Sequence, residues 1–151
     1  MSTFDVEPGN RWPGASFEEK SVWIQLASLV LALGGYFYVA GSMLGAGERA
    51  LSPFAPLFVT AVVLMVVINI VGHVASAIAS RPELRDERDR LIGWRAESAS
   101  SWLLAIGIFA AISAMLCDFD NVWTAHVLLL ALFFAELLRC VLQLLFYRRG
   151  V

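Results

Sequence analysis

Four long apolar stretches alternate with short polar segments along this chain of 151 residues. A helix needs about 20 apolar residues, rising about 1.5 Å each, to cross a hydrocarbon core of about 30 Å. The stretches are each near that length, at about 22–46, 54–79, 99–117 and 122–147. The pattern predicts an all-α integral membrane four-helix bundle, residues 21–151, preceded by a short polar segment, residues 1–20.

The composition supports lipid as the solvent of this chain. Its hydrophobic residues make up 59% and its mean hydropathy is +0.72, well above the values of a soluble domain. No polar segment is long enough to bury a core of its own, which excludes a soluble catalytic domain within these residues. Residues 1–20 lack the apolar core of a cleaved signal peptide, so we expect span one to act as its own insertion signal.

The basic residues predict the orientation of the spans. Nine of the 11 Lys and Arg residues lie before span one, between spans two and three, or after span four, and only Arg49 lies in a segment on the opposite side. Cytoplasmic segments retain Lys and Arg during insertion. We therefore expect both termini and the segment 81–97 in the cytoplasm, with the protein in the cytoplasmic (inner) membrane of a prokaryote.

The segment 81–97 carries five arginines and five acids, so it is neutral overall. No proline and only two glycines, Gly93 and Gly107, lie between Glu83 and Cys117, which predicts one long third helix that extends into the cytoplasm. Leucines and a tryptophan recur on one side of its charged part and form a narrow apolar stripe, which consists of Leu84, Leu91, Trp94 and Ser98. We expect this stripe to pack against another surface, which could be the membrane surface, a second subunit or a cytoplasmic partner. The candidate docking residues on this helix are Asp86, Glu87, Arg88, Asp89 and Arg90.

Ionisable residues inside the apolar stretches indicate a second candidate site. Glu136 and Arg139 lie one turn apart in span four, where a lone charge costs at least a few kcal/mol. Other polar residues are expected at the same depth on spans two and three, namely Asn69, His73, Arg95 and Glu97. The predicted cluster has three open interpretations: an ionic latch that fixes helix register, a site for a proton, ion or polar ligand, or a coupling between the charged helix and the membrane.

The remaining candidate chemistry is weak. His73 and His126 differ in depth by about 15 Å at helical rise, so one chain cannot offer both to a single haem iron. The spacing of the polar residues near the outer turn matches no tight metal site; these are Cys117, Asp118, Asp120 and His126. Cys140 lies about 27 Å deeper than Cys117, too far for a disulfide. No phosphate-binding or nucleophile motif is present, and we expect no metal, no cofactor and no catalytic residue.

Several short motifs resemble those of one family. They are Asp86-Glu87-Arg88-Asp89 followed by Arg90-Leu91-Ile92, then Arg95-Ala96, and the ending Tyr147-Arg148-Arg149-Gly150. Together they resemble, over about residues 66–150, a family of small four-span prokaryotic membrane proteins of unknown function with a D-E-R-D-x-x-I stretch in the cytoplasmic loop. The family pattern has a Tyr shortly after the Arg-Ala pair, where this chain has Ser98, Ser100, Ser101 and Trp102. The resemblance implies a transcription regulator as a possible partner and no direct contact with nucleic acid.

Three functions remain open from the sequence. The leading one is a non-enzymatic regulatory or scaffolding protein whose charged helix docks a partner or a second copy. Gly41 and Gly45, spaced as a small-xxx-small pair, favour self-association as a two-fold dimer. The alternatives are a small transporter or channel with a polar path around Glu136, Arg139 and His73, and a membrane subunit that binds a lipid headgroup or quinone.

Overall fold

A computed structural model of the chain describes residues 17–79 and 87–149. Within these ranges the chain forms four α-helices: α1 (Phe17–Gly45), α2 (Phe54–Ala79), α3 (Glu87–Leu116) and α4 (Asn121–Arg149). Each helix is long and apolar enough to cross a membrane. The predicted all-α architecture with four candidate membrane spans is therefore confirmed. Because α3 begins at Glu87, the described part of the charged segment is continuous with span three; residues 80–86 lie outside the described ranges.

Two tight turns join the helices in pairs. Gly47, with φ 92°, ends α1 in the left-handed conformation, and the N–H of Glu48 donates to the carbonyl of Met43 at 3.1 Å. Asp118, with φ 56°, has the same role after α3, where the N–H of Phe119 donates to the carbonyl of Ala114 at 3.1 Å. Both are the six-to-one bonds of a Schellman ending. We call this side of the molecule the turn end, and the opposite side, which holds Phe17, Ala79, Glu87 and Arg149, the terminal end.

The lateral order of the helices follows from three extensive interfaces, α1 with α2, α1 with α4, and α3 with α4. Thus α1 and α4 are the central pair, and α2 and α3 are the outer helices of the described bundle. Glycines permit the closest approaches in two of these interfaces. A Cβ on Gly72 of α2 would lie 2.5 Å from Cγ2 of Ile24 on α1, and a Cβ on Gly107 of α3 would overlap Cβ of Ala131 on α4.

The small-xxx-small pair on α1, Gly41 and Gly45, does not mediate a close approach between the described helices. An ideal Cβ on Gly41 or Gly45 would meet no described atom within 4 Å, apart from the local atoms of its own helix. Both residues are exposed on the surface of the bundle. Any close contact through this pair must therefore involve another molecule rather than a neighbouring helix of the described chain.

The core divides into two apolar clusters along α1 and α4. The larger cluster lies toward the turn end and is formed by Leu29, Leu33, Tyr36, Ala40, Phe54, Ala61 and Val122. The smaller cluster lies toward the terminal end and is formed by Val22, Cys140 and Leu144. Polar side chains occupy the level between the two clusters, which places the candidate site near the middle of the helices.

Candidate functional site

An ion pair lies near the middle of α4. Nε and Nη2 of Arg139 donate to Oε2 of Glu136 at 2.9 and 2.6 Å. The two side chains are 27% and 39% exposed, for Arg139 and Glu136 respectively, so neither is fully enclosed by the neighbouring helices. Because each charge is held against its opposite, the pair is neutral as a unit in an apolar stretch where a lone charge would be costly.

This ion pair lines a cleft of about 370 Å³ between α1, α2 and α4. The cleft has a polar side and an apolar side. Besides the ion pair, its polar residues are Gln25, Ser28 and Asn69, and its other lining residues are Leu29, Leu33, Met65, Leu132 and Cys140. Pockets of about 300 to 1,000 Å³ with a few polar groups on apolar walls are the usual form of small-molecule sites.

Hydrogen bonds across α1 and α2 hold the polar side of the cleft in place. Nδ2 of Asn69 donates to Oγ of Ser28 at 2.6 Å and to the carbonyl of Met65 at 2.9 Å. Oγ of Ser28 donates in turn to the carbonyl of Gln25 at 2.8 Å. Since these bonds use the amide N–H groups of Asn69, its Oδ1 is left as the acceptor that this side chain can offer.

A smaller cavity of about 70 Å³ adjoins the cleft on the terminal side. Gln25 and Arg139 line both spaces, so these two side chains border the cleft on one side and the smaller cavity on the other. Asp89, from the charged part of α3, lines the smaller cavity together with Ser21, Val22, Gly93, Gln143 and Tyr147. A Cβ on Gly93 would lie 3.7 Å from Nε2 of Gln143, an ordinary van der Waals distance, so α3 packs against α4 at this level without requiring a glycine.

The structure brings together three of the six residues expected in the polar cluster, namely Asn69, Glu136 and Arg139. His73, Arg95 and Glu97 line neither the cleft nor the smaller cavity. His73 lies one turn beyond Asn69, about 6 Å along the axis of α2. Ala96 faces the bundle and is fully buried, so its neighbours Arg95 and Glu97 point to either side of the helix and are exposed.

Two residues of the cleft, Gln25 and Ser28, were missed by sequence reasoning. They are three residues apart and therefore share one face of α1. The available signal was their polarity within an otherwise apolar stretch, but that signal carries no information about which helix lies opposite. The contact with Asn69, 41 residues away from Ser28, supplies that information.

The candidate docking residues fall into two groups. Glu87 and Arg90 are exposed, whereas Asp89 is half-buried beside the smaller cavity. Asp86 and the side chain of Arg88 lie outside the described residues. In the stripe, Leu91, Trp94 and Ser98 are exposed, with Trp94 at 70%, and Leu84 lies outside the described residues.

A second polar contact, also missed by sequence reasoning, lies toward the turn end. His126 is buried, and its Nδ1 is 2.6 Å from the carbonyl of Val122. A carbonyl only accepts, so Nδ1 donates to it, and in the corresponding tautomer of the imidazole Nε2 is an acceptor. The hydroxyl of Tyr36 therefore donates to Nε2 at 3.1 Å, with the two rings stacked at 5.8 Å. Phe54 closes the cluster, its ring centroid 4.8 Å from that of His126.

This arrangement separates His126 from the other residues considered for a metal site. Cys117, Asp118 and Asp120 are exposed in or beside the turn, while His126 is enclosed by aromatic rings. Over the described ranges, no group of three His, Cys, Asp or Glu side chains is placed to hold a metal ion. Both cysteines are free thiols.

Comparison with known proteins adds no family to this picture. No protein-family model, curated protein or solved structure matches this chain. The resemblance to four-span proteins with a D-E-R-D-x-x-I stretch stays a prediction, and the function must be argued from the geometry described above.

Proposed function

We propose that this chain is a non-enzymatic regulatory or scaffolding membrane protein whose charged first turns of α3 dock a second copy of the chain. The supporting observation is the contrast between the two faces of these turns. Ile92 and Ala96 are buried and hold α3 in the bundle, whereas the opposite face is exposed and carries Glu87, Arg90, Leu91, Trp94, Arg95 and Glu97.

Charge complementarity favours a second copy as the occupant of this face. Among the described side chains of these turns, the exposed charged residues are two acids, Glu87 and Glu97, and two bases, Arg90 and Arg95. In a two-fold contact the same patch meets itself, so the acids of one copy can face the bases of the other. Leu91 and Trp94 supply the apolar area that the centre of an interface needs.

The proposal includes a placement in the membrane. Both termini and the charged turns of α3 face the cytoplasm of a prokaryotic cell, across its inner membrane. The distribution of Lys and Arg supports this orientation. Cys117 provides a direct measurement, because it is exposed at the turn end whereas Cys140 is buried. A membrane-impermeant maleimide should label Cys117 in intact cells whose outer membrane is permeable; labelling only after lysis would reverse the orientation.

A charge-swap experiment tests the docking proposal. One variant carries Glu87→Arg and Glu97→Arg, and the other carries Arg90→Glu and Arg95→Glu. When a tagged and an untagged copy of the same variant are expressed together, the tagged copy should no longer capture the untagged one, because like charges then face each other. Co-expression of the two should restore pull-down, since opposite charges meet again.

Matched controls keep this experiment decisive. Each variant must still be found in the membrane fraction as a folded protein. Equal pull-down for the first variant alone, the second variant alone and the two together would contradict docking through these turns. Capture of a cytoplasmic protein such as a transcription regulator, with no second copy present, would assign the surface to that partner instead.

Transport is a second candidate function, favoured by the ion pair in the cleft. The polar path from Asp89 through Arg139 to Glu136 supports entry of an ion or proton from the terminal end. Toward the turn end, however, the cleft meets Leu29 and Leu33, which belong to the larger apolar cluster. This arrangement favours binding over passage through a single copy.

Reconstituted liposomes test the transport candidate. Under an imposed ion or pH gradient, a transporter should give flux that Glu136→Gln abolishes, while His73→Gln, outside the cleft, leaves it intact. The absence of flux, or flux that does not respond to Glu136→Gln, would eliminate this function.

A further inference from the structure

The cleft between α1, α2 and α4 has the form of a binding site, independent of the docking proposal. Its polar side presents two amides, a hydroxyl and an ion pair, and its apolar side presents Leu29, Met65 and Leu132. A ligand that suits both sides must be amphiphilic. The question is which kind of head group the polar side accepts.

The charge of the site restricts the head group. The two hydrogen bonds of the ion pair use Nε and Nη2 of Arg139 and Oε2 of Glu136. Nη1 of Arg139 and Oε1 of Glu136 are thereby left to donate to and accept from a ligand. Since the pair is already neutral, a head with net charge would add an uncompensated charge in an apolar environment, at a cost of several kcal/mol.

The depth of the site in the membrane also favours an uncharged head group. Glu136 is one residue from the midpoint of α4, which runs from Asn121 to Arg149. When α4 spans the bilayer, Glu136 lies near its midplane, about 20 Å along the helix from either end. Ionic phospholipid heads belong to the interfaces, whereas lipids with uncharged heads can reach this depth.

We propose that the cleft binds a lipid with an uncharged, oxygen-bearing head on an apolar chain. Carbonyl oxygens of the head accept from Nη1 of Arg139, and hydroxyl groups donate to Oε1 of Glu136 or Oδ1 of Asn69. The chain lies along Met65 and Leu132. Two membrane components share this chemistry, a lipoquinone and a diacylglycerol, and the experiment distinguishes them.

Native mass spectrometry of the full chain in detergent provides the test. The probes are a quinone with a short isoprenoid tail, dioctanoylglycerol, and an anionic phosphatidylglycerol of equal chain length. One uncharged probe should give a saturable adduct of one lipid per protein chain, and phosphatidylglycerol should bind at least tenfold more weakly.

Matched variants locate the adduct in the cleft. Leu132 lines the cleft and Leu130 lines the α3–α4 surface instead, and both are 40% exposed on α4. Leu132→Trp should abolish the adduct by filling the cleft, and Leu130→Trp should retain it. Asn69→Leu should weaken binding about threefold to tenfold by removing a hydrogen-bonding amide, while His73→Leu, one turn away, should not.

Several outcomes overturn the proposal. They are no adduct with either uncharged probe, equal binding of phosphatidylglycerol, and equal loss of binding in Leu130→Trp and Leu132→Trp. Thermal unfolding of every variant, measured in the same detergent without probe, separates a blocked cleft from an unfolded protein. Pull-down of a second copy is measured on the same samples, so failure of lipid binding and failure of docking remain distinguishable.

Discussion

The two halves of the bundle are built from the same two central helices but differ in how their polar side chains are bonded. Toward the turn end, α1 and α4 bury Tyr36 and His126, which are hydrogen-bonded to each other among aromatic rings. Toward the terminal end, the same two helices hold Glu136, Arg139 and Ser28 around a cleft. In the first arrangement both ring nitrogens of His126 and the hydroxyl of Tyr36 have partners within the protein, whereas the second leaves groups that can bind a ligand. Polar residues inside a membrane protein therefore indicate a ligand-binding site only where some of their hydrogen-bond donors or acceptors have no partner within the protein.

The largest effect is expected when the ion pair is split. Arg139→Met leaves Glu136 charged without its partner, which should lower the free energy of unfolding by about 2 to 5 kcal/mol. Combining it with Glu136→Gln removes both charges and should recover most of the loss. The measurement is thermal or denaturant unfolding in lipid–detergent micelles. A double variant as unstable as Arg139→Met would show that the pair contributes packing rather than charge compensation.

A smaller effect is expected where α3 and α4 touch, at a level between the two halves. Gly107→Ala places a methyl group against Cβ of Ala131, which has no flexible side chain to move away, so α3 must shift. We expect a loss of about 1 to 3 kcal/mol. Gly41→Ala is the control, because a Cβ there meets open space.

The smaller cavity is the sensitive readout for that change. Unlike the cleft, it is lined by residues of α3, Asp89 and Gly93, so Gly107→Ala should disturb the environment of Asp89 more than that of His126. Equal unfolding free energies for Gly107→Ala and Gly41→Ala would contradict the close α3–α4 contact.

The smallest effect is expected in the turn-end half. Tyr36→Phe removes the donor to Nε2 of His126 and leaves that nitrogen unpaired, at a cost of about 1 to 2 kcal/mol. Tyr38→Phe, two residues away and 84% exposed, should change the unfolding free energy by less than about 0.5 kcal/mol. Neither variant should alter lipid binding in the cleft. A binding change in Tyr36→Phe alone would mean that the two halves are coupled.

Local patterns were sufficient for the helices and for contacts within one helix. Hydropathy located four spans because each residue contributes to it through its own side chain, regardless of its neighbours in space. The pairing of Glu136 with Arg139 was also accessible, since residues three apart on a helix always share a face. What these patterns left open was the identity of the residues opposite each face.

Only the packing decided which polar residues meet. Sequence reasoning grouped residues by depth and so placed His73, Arg95 and Glu97 with the ion pair, whereas the structure places Ser28 and Gln25 there. Depth is one coordinate, and a cleft also depends on lateral order and on rotation about each helix axis. Four similarly apolar helices leave that order undetermined by hydropathy. It follows instead from shape, such as the fit of Gly72 against Ile24 and of Gly107 against Ala131, because lipid chains are as apolar as the helices and close packing selects the neighbours.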